Sequence, residues 1–130
     1  MEKEFIPYEQ ALALKELGFN KRCNTCYDKL QMVSSYGKDV FDYKNYNTSG
    51  YVVSRPTFSQ AFKWFRDKYD LHSLIESYNQ DENGNDIEYI YSYRIVTNKI
   101  FPKEINVFLN SYEEAELECL KKLIEIVKTK

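Results

Sequence analysis

The stretch Pro56–Tyr69, PTFSQAFKWFRDKY, decides how this chain is read. Phe58, Ala61, Phe62, Phe65 and Tyr69 recur at the spacing of one stripe on an α-helix, and Gln60, Lys63 and Asp67 point the other way. Thr57 is a good N-cap after Pro56. A helix that buries four aromatic rings cannot also stack them on bases, so the basic residues Lys63, Arg66 and Lys68 read as its solvated side. Trp64 lies about 120° from the stripe centre by the 3.6-residue period, which places it at the boundary of the buried face. A boundary tryptophan is the kind of residue enriched where proteins bind partners.

Downstream, Leu74–Tyr78 and Ile87–Val96 are rich in β-formers, and QDENGND between them carries an Asn-Gly turn signal. A β-hairpin is expected. A calcium loop is not, because Gly84 stands at the fourth position counted from Asp81 as the first, where the loop needs its glycine at the sixth. The last helix starts at a capping box, Ser111 with Glu114. Glutamates crowd its first turn and lysines its end, complementing the helix dipole. Its apolar arc runs from Ala115 through Cys119, Tyr112, Leu123, Val127 and Leu120 to Ile124. That breadth implies contact on two sides, with a sheet and with either another helix or a second subunit.

Upstream, IPYEQALALKELGFN reads as a short helix with Pro7 in its first turn, Ala13, Leu14 and Leu17 on one side, and Gly18 as a left-handed stop. TCYDKLQMVSS reads as one strand. Between Ser34 and Arg55, short strands are expected near Val40–Tyr43 and Tyr51–Val53. The order of elements implies an α+β fold: a small antiparallel or mixed sheet with about three helices packed mainly on one face. At 130 residues the chain has the length of a single domain, 1–130, that needs no disulfide or metal to hold a core.

Composition narrows the function classes. A net charge of −2 argues against a general nucleic-acid polymer binder. No apolar run approaches the ~20 residues of a membrane span, the opening MEKEFIPYEQ lacks the basic-then-apolar pattern expected of a signal peptide, and three cysteines suit a reducing cytoplasm. CNTC, Cys23–Cys26, has the spacing of half a zinc site or of a redox pair, but it leads into a strand rather than a helix. The remaining thiol, Cys119, falls on a helix's apolar face and His72 is the sole histidine. Buried thiols are the expectation, with no metal and no cofactor. No nucleophile elbow, zinc-protease motif or phosphate-cradling glycine loop is present, so no catalytic residue is assigned and a non-enzymatic role is expected.

The candidate site is the tyrosine-rich insert YKNYNTSGYVVSR, which mixes rigid amphipathic rings with flexible hydrogen-bonding residues. Tyr43, Tyr46, Tyr51 and Trp64 could stack on a flat ligand, while Lys44, Arg55 and Arg66 could meet anionic groups. The partner would be a protein or a small signalling nucleotide.

Taken together, PTFSQAFKWFRDKYDLHSLI, SYEEAELECLKKLIEIVK and IPYEQALALKELGF resemble a family of short proteins encoded by bacteriophages and prophages of gut and marine bacteria. The shared residues Phe58, Phe62, Phe65, Tyr69, Leu120 and Leu123 are core positions, so the resemblance carries no binding or catalytic residue with it. It implies a small accessory protein in the host cytoplasm that acts by binding a host or defence protein, or by sequestering a signalling nucleotide. Self-association through the broad last helix is expected as well.

Overall fold

The computed structural model describes residues 2–34, 43–97 and 108–129. The fold is α+β, and its strands divide between two antiparallel sheets. The chain forms two compact units, Met1–Trp64 and Phe65–Lys130, and each carries one of the sheets.

In the first unit, helix α1 (Tyr8–Glu16) follows Pro7, which serves as its N-cap. It buries Ala11 and Leu14, so of the expected Ala13, Leu14 and Leu17 side Leu14 is fully buried and the other two are half-buried. Gly18 takes φ 95° and stops it. The amide of Phe19 then donates to Leu14 O at 2.9 Å and that of Gly18 to Lys15 O at 3.0 Å. This is a Schellman closure, and it delivers the Phe19 ring into the core.

TCYDKLQMVSS is not one strand. Cys26–Tyr27 (β1) and Val33–Ser34 (β2) form a tight hairpin. Asp28 Oδ1 accepts the amides of Leu30 and Met32 at 2.8 and 3.0 Å, and Gln31 adopts φ 63°. An aspartate that captures its own downstream amides turns the chain without any glycine. Val53–Ser54 (β3) pairs with the other edge of β1, giving the order β2-β1-β3. The strand expected near Tyr51–Val53 is therefore shorter and shifted, and the one near Val40–Tyr43 falls largely outside the described residues.

Helix α2 (Phe58–Tyr69) opens on a reciprocal cap. Gln60 N donates to Thr57 Oγ1 at 3.1 Å, and Thr57 N donates to Gln60 Oε1 at 2.9 Å. Ala61 and Phe65 are fully buried and Phe58 nearly so, whereas Phe62 is only half-buried. Trp64 is 2% exposed and meets Phe19 edge-on at 5.4 Å between ring centroids. The boundary position expected for it is corrected. The buried arc of α2 centres near Ala61, about 60° from the stripe centre towards Trp64. The Phe19 ring delivered by the α1 stop meets α2 on that side, at Trp64.

In the second unit, β4 (His72–Gln80) and β5 (Asp86–Val96) form the expected hairpin, with His72 opposite Val96 and Tyr78 opposite Ile90. At the tip, Asp81 Oδ1 accepts the amides of Asn83 and Asn85, and Gly84 takes φ 81°. Those donated hydrogen bonds, led by Asn85's, hold the Asp81 carboxyl below its ordinary range. Helix α3 (Tyr112–Lys128) starts where Glu114 N donates to Ser111 Oγ at 3.1 Å. Glu114 Oε2 reaches back past the cap to Asn110 N at 3.2 Å.

Side chains alternate between the two faces of the hairpin. Ser73, Ile75, Tyr91 and Tyr93 share the face against α3. Ser73 lies beside Cys119, its buried hydroxyl without a hydrogen-bond partner among the described residues, and Tyr91 meets Tyr112 edge-on at 6.3 Å. The helix buries Ala115, Cys119, Leu120, Leu123 and Ile124 there. The sheet is thus one neighbour of the broad apolar arc, and Tyr112 at its margin stays exposed.

Candidate functional site

The tyrosine-rich insert is built by residues that satisfy its own backbone. Asn45 Oδ1 accepts from Asn47 N at 3.0 Å, capping a short 3-10 turn over Tyr46–Thr48. The Asn47 amide is bidirectional: Nδ2 donates to Phe19 O at 2.9 Å and Oδ1 accepts from Ser54 N at 2.8 Å. Ser54 Oγ accepts from Tyr46 N at 3.0 Å. Lys15, at the end of α1, donates to both Ser49 O and Val52 O at 2.8 Å. The asparagines and serines read as adaptable ligand contacts are thus largely spent on holding the loop.

The seven candidate residues separate accordingly. Tyr46 is buried at 2% exposure, with Lys44 Nζ 5.1 Å from its ring centroid. Tyr51 is 68% exposed, with Lys29 Nζ 4.5 Å above its ring. Lys44, Tyr46 and Tyr51 line one cleft of about 310 Å³ with Asn45, Ser49 and Val52. Tyr43 is exposed but does not line it.

Arg55 departs from the expected role. It is 4% exposed, with its guanidinium carbon 4.0 Å from the Phe5 ring centroid and 5.5 Å from that of Tyr27. Tyr27 is fixed in turn, its hydroxyl donating to Ile6 O at 2.6 Å and its ring meeting Tyr8 edge-on. An arginine is retained here because its flat, weakly hydrated cation stacks between rings. Trp64 is sealed in the core and cannot take a ligand. Arg66 is exposed on α2 and does not line the cleft.

A larger cleft, about 560 Å³, lies in the second unit where nothing in the sequence had been singled out. It sits on the hairpin face turned away from α3, lined by Glu76, Tyr78, Ile87, Ile90, Arg94 and Phe108. Arg94 Nε is 3.2 Å from Glu76 Oε1, and the Tyr78 hydroxyl donates to Glu76 Oε2. Around this polar centre Leu74 is 50% exposed, and Tyr78, Ile87, Val96 and Phe108 are exposed too. Alternation along β4 and β5 was the available signal for Glu76, Tyr78, Ile90 and Arg94, which share the face away from α3. Ile87 lies beyond the register shift between Tyr78 and Gln80, where alternation no longer assigns a face.

The remaining reactive groups are quiet. Burial pushes the Cys23 thiol up to about 12, a Ser54 hydrogen bond opposing it and Cys26 adding to it. Burial likewise pushes Cys119 up to about 12, with the nearby Ser73 hydroxyl opposing it. His72 Nε2 lies 2.9 Å from Asp70 Oδ1 in the open, and the adjacent Ser73 faces α3. Among the described residues no group of three or more His, Cys, Asp or Glu could hold a metal ion, and no helix is long and apolar enough to cross a membrane. No family model matches the chain, and neither a curated protein nor a solved structure matches it.

Proposed function

We propose that this protein is an accessory protein of the kind phages and mobile elements carry, acting by non-enzymatic binding to a host or defence protein in the cytoplasm. The observation that carries the reading is the open face of the β4–β5 hairpin. Exposed Leu74, Tyr78, Ile87, Val96 and Phe108 surround the Glu76–Arg94 pair. Apolar rings and chains around a charged centre are the make-up of a surface that buries a partner's side chains and fixes their register. The test is affinity capture from the host with wild type and with Tyr78→Ala and Leu74→Asp, followed by cross-linking mass spectrometry. Loss of the same captured protein by both variants, with cross-links on β4 and β5, supports the reading. Capture unaffected by either variant ends it.

A second reading, sequestration of a small nucleotide, is favoured by the Lys44–Tyr46–Tyr51 cleft, where lysine amines already sit over two tyrosine rings. A ligand at a hundredfold excess over its Kd stabilises the folded state by roughly 2.7 kcal/mol. A thermal-shift panel of cyclic and linear nucleotides therefore decides it, and a flat response at millimolar ligand dismisses it.

A further inference from the structure

We infer that the outer edge of β4 pairs with β4 of a second copy, joining two hairpins into a continuous four-stranded sheet. This surface is the strand's edge, not the open face assigned above to a partner protein, so either assignment can fail without the other.

The argument begins with hydrogen-bond direction. Tyr91 exchanges both backbone hydrogen bonds with Leu109, at 2.9 and 2.8 Å. Its amide and carbonyl therefore point away from β4, and its partner Ser77 belongs to a non-hydrogen-bonded pair whose polar groups point away from β5. Pairs alternate along an antiparallel ladder, so Ile75 and Ser73 direct their amides and carbonyls outward as well. Among the described residues no strand pairs with that edge. The opposite edge of the hairpin, by contrast, is engaged at Tyr91.

Edge strands are usually protected by proline, lysine, bulges or brevity. β4 runs nine residues, His72–Gln80, with neither proline nor lysine, and its one irregularity lies at the tip between Tyr78 and Gln80. Such an edge is a template for strand addition.

A second copy fits it for reasons of symmetry and charge. A two-fold axis at Ile75 sets Ser73 against Ser77 of the other copy, Ile75 against Ile75, and Ser77 against Ser73. All three outward-facing residues on each strand then bond at once, an isologous closed arrangement. On the open face this register sets Leu74 against Glu76 of the other copy. Each cross-sheet row then runs Arg94, Leu74, Glu76, Ser92, bringing opposite charges into the same row. Shifting the axis to Glu76 would oppose two carboxylates, a destabilising like-charge pair.

The test uses the full chain. Light scattering across a concentration series is expected to show a dimer. Ser77→Pro removes one outward N–H at an exposed site and is expected to give a monomer with unchanged circular dichroism. The register is tested separately by oxidising variants with one added cysteine, since non-hydrogen-bonded neighbours approach to about 4.5 Å between Cα atoms and the three native cysteines are buried. Leu74→Cys mixed with Glu76→Cys is expected to give a covalent dimer, and either variant alone much less. A monomer at every concentration overturns the inference and leaves the edge to an extended segment of another protein. A dimer that survives Ser77→Pro, or one whose mixture fails to cross-link, overturns it equally.

Discussion

The guanidinium of Arg55 rests 4.0 Å from the centre of the Phe5 ring, which ties the N-terminal segment to the residue that follows β3. Arg55 N also donates to Thr25 O at 3.0 Å, and Ile6 N to Pro56 O at 3.0 Å. A desolvated cation over a ring contributes about 2 kcal/mol or more. Arg55→Ala is expected to lower unfolding stability by about 2–3 kcal/mol in urea titration, by loss of both the stack and the packing of its stem. Arg55→Lys keeps the charge but not the flat fork, and should recover only part of the loss. Full recovery would show that charge alone matters.

Trp64 is a core residue, and its replacement should read as one. Trp64→Ala empties the space against Phe19 and is expected to cost about 3–5 kcal/mol. Thermal unfolding should register the loss, and binding measured well below the lowered melting temperature should be unchanged. Weakened binding with stability intact would return the residue to the surface.

Lys15 clamps the insert through two carbonyls, Ser49 O and Val52 O. Hydrogen bonds from a charged donor are each worth about 1.5–3 kcal/mol in mutational series, and leaving acceptors half-satisfied adds to the effect. Lys15→Met preserves the stem and removes the donor. Faster hydrogen exchange is expected at Tyr51 and Ser49, with global stability lower by about 2 kcal/mol. Unaltered exchange there would show that Asn47 and Ser54 hold the loop unaided.

The cysteines give a pH dependence whose sign follows from burial. In the folded chain the thiols of Cys23 and Cys119 ionise only near about 12, against an ordinary 9.0. Between those values the unfolded chain releases protons that the native chain keeps, so stability falls as pH rises from about 9. Urea midpoints are expected to decline above that pH and to be flatter in a Cys23→Ala, Cys119→Ala variant. Native protein at pH 8 should also resist iodoacetamide until denaturant is added. Rapid native labelling would mean that these thiols are reached by solvent.

How much of this was legible depended on the range over which each signal acts. Ser111 with Glu114, Gly18, and the Asn83-Gly84 turn are local chemistry, and each gave its helix end or hairpin from a few residues. Trp64 and Arg55 were misplaced because their positions are set by distant partners: Phe19 for the one, Phe5 and Tyr27 for the other. Periodicity locates a stripe but cannot say on which flank of it a distant ring such as Phe19 will pack. The hairpin at Asp28 was missed for a related reason, because an aspartate folding onto its own amides leaves no glycine or proline behind. The candidate site was legible in part, Lys44, Tyr46 and Tyr51 sharing a cleft, because those three lie close together in the chain.

Strand pairing has a consequence for the order of assembly. β4 meets β5 through a short reversal at Asp81–Asn85, whereas β1 meets β3 only after the whole span from Asp28 to Val53 has been closed. Closing a longer span loses more chain entropy before any contact repays it, and non-local pairing slows folding. Refolding should therefore protect the amides of Leu74, Glu76, Ser92 and Arg94 in the C-terminal half first. The amides of Lys44 and Arg55 should follow, a sequence that pulse-labelled exchange would reverse if nucleation began at the N-terminal sheet.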